Sequence, residues 1–217
     1  MLSFSKLRQN LYGSFLFNRK PLNLYFSMIE EIALSLFTRS YEHFYREFED
    51  LPERELIYLS KHFDLSKIEK VVVVGAGAIP YTAIFFSQKI DKPVYAIEKN
   101  VLAYFACLRL LHRLRIGTIK VVRGLGQLYR DYGNSLVIIT LHTLPKQMVL
   151  ERVASNDQGS RIVVIRQPST QNMRLFESAS LDGLTYATIE HRKQGVFSFI
   201  VSSQFPHGIQ ILDPQEP

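Results

Sequence analysis

Among its 217 residues the chain has a single cysteine, Cys107. One thiol excludes a disulfide framework and a cysteine-rich metal site. Cys107 falls in an apolar helical stretch, where an inert buried thiol is expected rather than a nucleophile. No run of about 18 apolar residues exists, so a membrane-spanning helix is excluded on length. The first 29 residues hold no acid, only Lys6, Arg8, Arg19 and Lys20. A transit peptide has such a composition, but leucines and aromatics interleave these charges as in a docked helix, and a cytoplasmic protein is the expectation. Internal repeats and low-complexity segments are absent too. The net charge of +6 leaves an anionic partner open. The basic residues are dispersed, however, and the densest group, Arg109, His112, Arg113 and Arg115, reads as the solvated face of one helix. That argues against nucleic acid. With 47% hydrophobic and 21% charged residues, the length suits one globular domain with a small helical addition.

What is present is concentrated in residues 70–99. Val71 to Val74 form a short β-branched run, too brief for a buried helix and suited to a strand covered on both faces. It ends in Gly75-Ala76-Gly77, where the chain must turn tightly and its backbone is bare enough for a ligand to approach. A helix is expected from Pro80, whose missing N–H costs nothing in a first turn. A second strand, Val94 to Ile97, then delivers Glu98, about 20 residues beyond the turn, where a carboxylate meets a pair of ribose hydroxyls. The spacing marks a nucleoside site. In dinucleotide fingerprints a third glycine allows close helix–strand packing, and the helix N-terminus receives a pyrophosphate. Here Ile79-Pro80 stands near that position, which argues against NAD or FAD and towards S-adenosylmethionine.

The remaining pattern builds a fold around this unit. Apolar residues from Ile29 to Phe48 recur at intervals of three and four, as on a helix closed by Pro52. A second helix is expected over residues 53–62. Residues 1–68 thus read as a helical segment, and residues 69–217 as a Rossmann-like domain. In the latter, helices at residues 80–89, 101–115 and 146–154 alternate with strands at 119–122, 136–141 and 162–166. Alternation implies a mostly parallel, doubly wound α/β sheet. Two β-rich runs, Tyr186 to His191 and Val196 to Ser202, are joined by four residues including Gly195, so the sheet should end in an antiparallel hairpin. This is the layout of the class I S-adenosylmethionine-dependent methyltransferase fold.

The string Gly75-Ala-Gly-Ala-Ile-Pro-Tyr-Thr-Ala-Ile84 resembles the G-S-G-P-L-P-x-T-S-I and G-S-G-A-Y-P-M-T motifs of the nicotianamine synthase-like family. That family includes the bacterial enzymes of opine-type metallophore synthesis. Val137-Ile-Ile-Thr140 and Arg166-Gln-Pro168 extend the similarity over roughly residues 70–170. The resemblance implies transfer of the 3-amino-3-carboxypropyl group of S-adenosylmethionine to a small amine or amino acid, with release of methylthioadenosine. The family commonly ends its second strand in a D-x-D pattern, whereas this chain has Glu98-Lys99-Asn100. A methyltransferase acting on a small molecule, and a non-catalytic nucleoside-binding protein, stay open as alternatives. A homodimer stays open too. The N/D-P-P-Y/F string of many base-amino methyltransferases is absent, with Thr140-Leu-His-Thr143 in its place.

Candidate donor-binding residues are Gly75, Ala76, Gly77, Ile79, Pro80, Glu98 and Lys99. Gly124 and Leu125 join them after the third strand, beside the adenine, and Thr140 at the end of the fourth. Gly124 and Leu125 read equally as part of an ordinary turn. His142 is a candidate general base, and equally a solvent-facing histidine ahead of a turn. Tyr81 could close over the methionine end or simply pack. Glu42, in the helical segment, offers a carboxylate to a substrate amine. No metal is expected.

Overall fold

A computed structural model describes residues 29, 31–35, 42, 45, 46, 48–155, 161–169, 176–191 and 195–202. The expected helix over residues 29–48 is therefore covered in part. Residues 31–35 are helical, and Leu34, Tyr45 and Phe48 pack on the core. Tyr41, Phe44, Glu47, the hairpin turn 192–194 and the terminal tail lie outside the described residues.

Helix α1 spans Asp50–His62. Pro52, expected to close the preceding helix, instead sits buried in the first turn of α1. A first turn has no intrahelical acceptor for its N–H groups, so proline is tolerated there and the helix starts earlier than its position suggested. A 3₁₀ turn, Leu65–Lys67, follows, with the Asp64 side chain accepting the Ser66 N–H. Then strands and helices alternate: β1 Lys70–Val74, α2 Tyr81–Lys89, β2 Val94–Glu98, α3 Val101–Arg113, β3 Ile119–Arg123, β4 Ser135–Ile139, α4 Lys146–Ala154 and β5 Arg161–Pro168. The hairpin β6 Tyr186–His191 and β7 Val196–Ser202 completes the sheet.

Two elements stop short of their expected ends. Helix α3 ends at Arg113 because Arg115 takes a left-handed φ of 57° and the Ile116 N–H reaches back to Leu111 O, which closes the last turn. Strand β4 ends at Ile139. The Thr140 N–H still pairs with Val74 O, but the Thr143 N–H turns back to Thr140 O and the chain leaves the sheet.

The seven strands lie in the order β3-β2-β1-β4-β5-β7-β6. All neighbours are parallel except those of β7, which is antiparallel to both β5 and β6. Strand β1 is an interior strand, paired with β2 on one side and β4 on the other. The order in which strands are added reverses between β1 and β4, β2 and β3 lying to one side and β4 and β5 to the other, and open α/β sheets bind ligands in the crevice at such a point. Alternation along the strands divides the core. Val71 and Val73 join Leu59, Ile84, Phe85, Cys107 and Leu110 from α1, α2 and α3. Val72 and Val74 face Val149, Leu150 and Val153 of α4, together with Tyr132. All four valines are at most 2% exposed, and full burial of each such side chain is worth about 1.5–3 kcal/mol. The valine run is thus apolar throughout because both of its faces are covered.

Candidate active site

The loop after β1 meets the end of β2 through backbone hydrogen bonds. The Gly75 and Ala76 N–H groups donate to Ile97 O at 2.9 and 3.1 Å. Gly75 and Gly77 both take positive φ, 78° and 72°, where a β-carbon is strained. One residue further along, the Gly77 N–H donates to Glu98 Oε2 at 2.9 Å, and the Asn100 N–H donates to Glu98 Oε1 at 2.7 Å. Glu98 is 7% exposed. Burial pushes its carboxyl above the ordinary carboxylate range, and Glu31 adds to the rise. The Asn100 and Gly77 amides and Lys99 pull the other way. The carboxylate is therefore held by backbone amides, one from the loop after β1 and one from the residue that follows β2.

The two glycines serve different neighbours. A β-carbon at Gly75 would stand 2.5 Å from Thr143 Oγ1 and 2.7 Å from Thr140 Oγ1. These hydroxyls bind the loop, with Thr140 donating to Gly75 O and Thr143 to Val74 O, both at 2.8 Å. At Gly77 the neighbour is Glu31, whose Oε2 lies 2.5 Å from the position of such a carbon. Glu31 also accepts the Ala78 N–H at 3.2 Å. Its other oxygen stands 3.7 Å from His142 Nδ1. The His142 ring stacks on Phe176, centroid to centroid 5.1 Å. An acid from the helical segment thus reaches over the bare loop to the imidazole after β4.

Beneath this wall two buried cations fix the segments that form it. Lys146 is wholly buried, and its Nζ donates to Leu141 O, Arg166 O and Glu177 O at 2.8–3.0 Å. Burial lowers its pKa to about 7, while Glu177 opposes. Each of the three donors of an ammonium has a carbonyl here. Arg166, at the carboxyl end of β5, is 1% exposed. It grips Glu55 of α1 through Nε and Nη2, both at 2.8 Å, and donates from Nη1 to Tyr81 Oη at 2.9 Å and Thr82 Oγ1 at 2.8 Å. Glu55 also accepts from Ser198 Oγ at 2.6 Å.

The structure brings most of the sequence-derived candidates together. Gly75, Ala76, Gly77 and Glu98 form one loop contact. Lys99 spans to the opposite wall, donating to Leu144 O at 3.0 Å. Tyr81 opens α2, just beyond the loop, and His142 follows β4 beside Glu31. Ile79 and Pro80 are buried, Ile79 in the core beneath the loop. The Thr140 hydroxyl is bonded to the loop carbonyl. Gly124 donates its N–H to Glu98 O, and a β-carbon there would meet open space, while Leu125 beside it is 38% exposed. Glu42 is exposed, and among the described residues no hydrogen bond or ion pair joins it to Tyr81 or His142. Among the described residues no His, Cys, Asp and Glu cluster could hold a metal ion. Cys107 is buried, and burial pushes its thiol up to about 12.

Sequence reasoning missed Glu31, Glu55, Lys146 and Arg166. The one local signal was Arg166, a charge at the carboxyl end of an apolar parallel strand, where buried arginine needs a partner.

No protein-family model and no curated protein matches the sequence. Solved structures do match. The nicotianamine synthase MtNAS, crystallised with MTA and tNA, superposes with a TM-score of 0.71 at 16% identity, over 84% of this chain and 73% of that one. A glutamate-to-glutamine mutant of MtNAS in complex with S-adenosylmethionine gives 0.67 at 15% identity, over 84% and 75%. Magnesium protoporphyrin IX methyltransferase from Synechocystis, with bound SAM, gives 0.54 at 14% identity, over 72% and 79%. No helix among the described residues is long and apolar enough to cross a membrane. This chain therefore has the class I S-adenosylmethionine-dependent methyltransferase fold, in a form similar to that of MtNAS.

Proposed function

We infer that the crevice binds S-adenosylmethionine as donor and transfers its 3-amino-3-carboxypropyl group to a small amine or amino acid. The observation that carries this reading is the pairing of Gly77 with Glu98 under an acid–imidazole pair, Glu31 and His142, on the open side of the loop. Glu98 accepts the two ribose hydroxyls, and Gly75 to Gly77 let the nucleoside lie against bare backbone. Leu125 and Lys99 flank the adenine. The likeness to MtNAS supports the aminocarboxypropyl reading over methyl transfer, since the superposition on the methyltransferase is weaker.

In this reaction the acceptor nitrogen attacks the Cγ carbon of the methionine portion, opposite the sulfonium. An N–C bond forms, the C–S bond breaks, and its electron pair neutralises the sulfur, which leaves as methylthioadenosine. The nitrogen must then lose a proton. In this reading His142 takes it, and Glu31, 3.7 Å from its Nδ1, stabilises the imidazolium that results. Tyr81 closes the methionine end. Glu31, in the described part of the helical segment, lies over the loop and would help to keep water from the reacting atoms. The buried network beneath supplies rigidity, which in-line attack requires.

The test is to incubate the protein with S-adenosylmethionine and a panel of amines and to identify the by-product by mass. Methylthioadenosine is expected, in an amount equal to the new amine adduct. S-adenosylhomocysteine in its place would assign methyl transfer. Donor binding without either by-product would assign a nucleoside-binding protein.

A further inference from the structure

Arg166 and Glu55 form a fully buried ion pair joining β5 to α1, 111 residues apart in sequence. Such pairs are weak devices for stability. Two charges leave water, and apolar residues of the same volume often serve as well or better. A buried pair therefore calls for another account, and the hydrogen bonds supply one. Nε and Nη2 hold the two oxygens of Glu55, which fixes the plane of the guanidinium. Nη1 is then left facing α2, where it donates to the Tyr81 and Thr82 oxygens. The same guanidinium lies 5.7 Å from the centre of the Tyr81 ring. Phe48 tilts against the ring at 5.6 Å. The backbone does its part as well, since Lys146 Nζ pins Arg166 O.

We propose that Arg166 is a positioning residue: locked by Glu55, its guanidinium sets the Tyr81 phenol in one orientation at the mouth of the donor loop. The kinetic consequence rests on the transferase reading; the geometric one does not. An arginine is required because only a planar fork reaches a carboxylate and two hydroxyls from one side chain. With Nη1 on the phenol oxygen, the Tyr81 O–H bond is polarised. The ring is held at the first turn of α2, four residues beyond Gly77 of the loop.

The experiment uses the full chain in three forms: Arg166→Lys, which keeps the charge but not the fork; Glu55→Leu with Arg166→Leu, which removes both charges together; and Tyr81→Phe. The double variant covers the case in which Arg166→Lys does not fold. Calorimetry with S-adenosylmethionine should show donor binding retained in the Arg166 variants, because Glu98 and the loop are untouched. Methylthioadenosine release should show kcat lowered by about a hundredfold, the usual consequence of a misplaced site group. Adding Tyr81→Phe to either Arg166 variant should lower it no further, since both changes remove one device. Wild-type kcat in the Arg166 variants, or losses that multiply with Tyr81→Phe, would overturn the proposal.

If the wild-type protein releases no methylthioadenosine, it is the transferase reading that fails. The positioning role is then read from the fluorine resonance of Tyr81 in fluorotyrosine-labelled protein, assigned by its loss in Tyr81→Phe. Removing the guanidinium should shift and broaden that resonance, and an unchanged resonance would refute the role.

Discussion

Glu98 shows how a single carboxyl can be held in place by its surroundings. It is buried, yet both oxygens face backbone N–H groups, so an apolar cover and a polar floor act on one carboxyl. Burial outweighs the amides and leaves its pKa raised above 4.5. In the proposed role only the ionised form would accept both ribose hydroxyls, so donor affinity should begin to fall at a pH above 4.5 as the solution is acidified. Calorimetric titration of S-adenosylmethionine across that range reads this, and Glu98→Gln should weaken binding while removing the acid dependence. Gly77→Ala tests the loop. A β-carbon there needs a left-handed φ, costing about 1–2 kcal/mol, and it would displace Glu31. Loss of stability in urea together with loss of donor affinity is the expected pair of results. Gly126 gives the contrasting case, because its β-carbon would strike Val74 at 2.5 Å and Val149 at 3.0 Å, inside the core. Gly126→Ala should cost about 1–3 kcal/mol by overpacking.

Individual elements follow from local signals, and that is where the sequence was most legible. The hairpin strands, α4 and the β1–α2–β2 unit fall where periodicity, β-branched runs and the glycine turn place them. Each rests on contacts within a few residues, which leave a period of two or 3.6. The elements that deviated did so where a turn overrides the pattern. Thr143 folding back on Thr140 cuts β4 short, and Pro52 is absorbed into a first turn rather than ending a helix. The polar side chains under the crevice had no such trace. Glu55 meets Arg166 across 111 residues and Glu31 meets Ala78 across 47, and neither pairing has a period. Asn100 lies between the two cases, since it was noted only as part of an acid motif. It caps α3, accepting the N–H groups of Leu102 at 2.9 Å and Ala103 at 3.1 Å. Asn100→Ala should destabilise the protein by about 1 kcal/mol. Donor affinity should be nearly intact, because the backbone N–H at residue 100 still holds Glu98. Denaturant unfolding and calorimetry separate the two effects.

At the scale of the whole molecule, one buried polar chain runs from α1 through β5 to the hairpin, and it makes stability depend on pH. Ser198 of β7 bridges Glu55 to His191 of β6, with His191 Nε2 at 2.9 Å from the serine oxygen. His191 is 1% exposed. Burial lowers its pKa to about 4; Glu55 and Asp50 oppose this, and Arg166 and Arg54 reinforce it. In the unfolded chain an imidazole titrates near 6.5. Between about pH 6.5 and 4 the unfolded chain therefore binds one proton more than the folded one, and stability must fall as the pH falls. The full loss is about 3 kcal/mol, from a shift of that size at about 1.4 kcal/mol per unit. Glu55 acts lower down. Burial would raise its carboxyl, but the Arg166 guanidinium, with His191 and Ser198, outweighs that and holds it below the ordinary range. Its contribution is present above pH 4.5 and is lost only as the pH drops through the depressed value. Urea unfolding at a series of pH values should show both phases, the first beginning near 6.5. His191→Leu should flatten the first and keep the second, because Ser198 retains its bond to Glu55. A first phase that persists in His191→Leu would mean that the histidine is not the group being protonated.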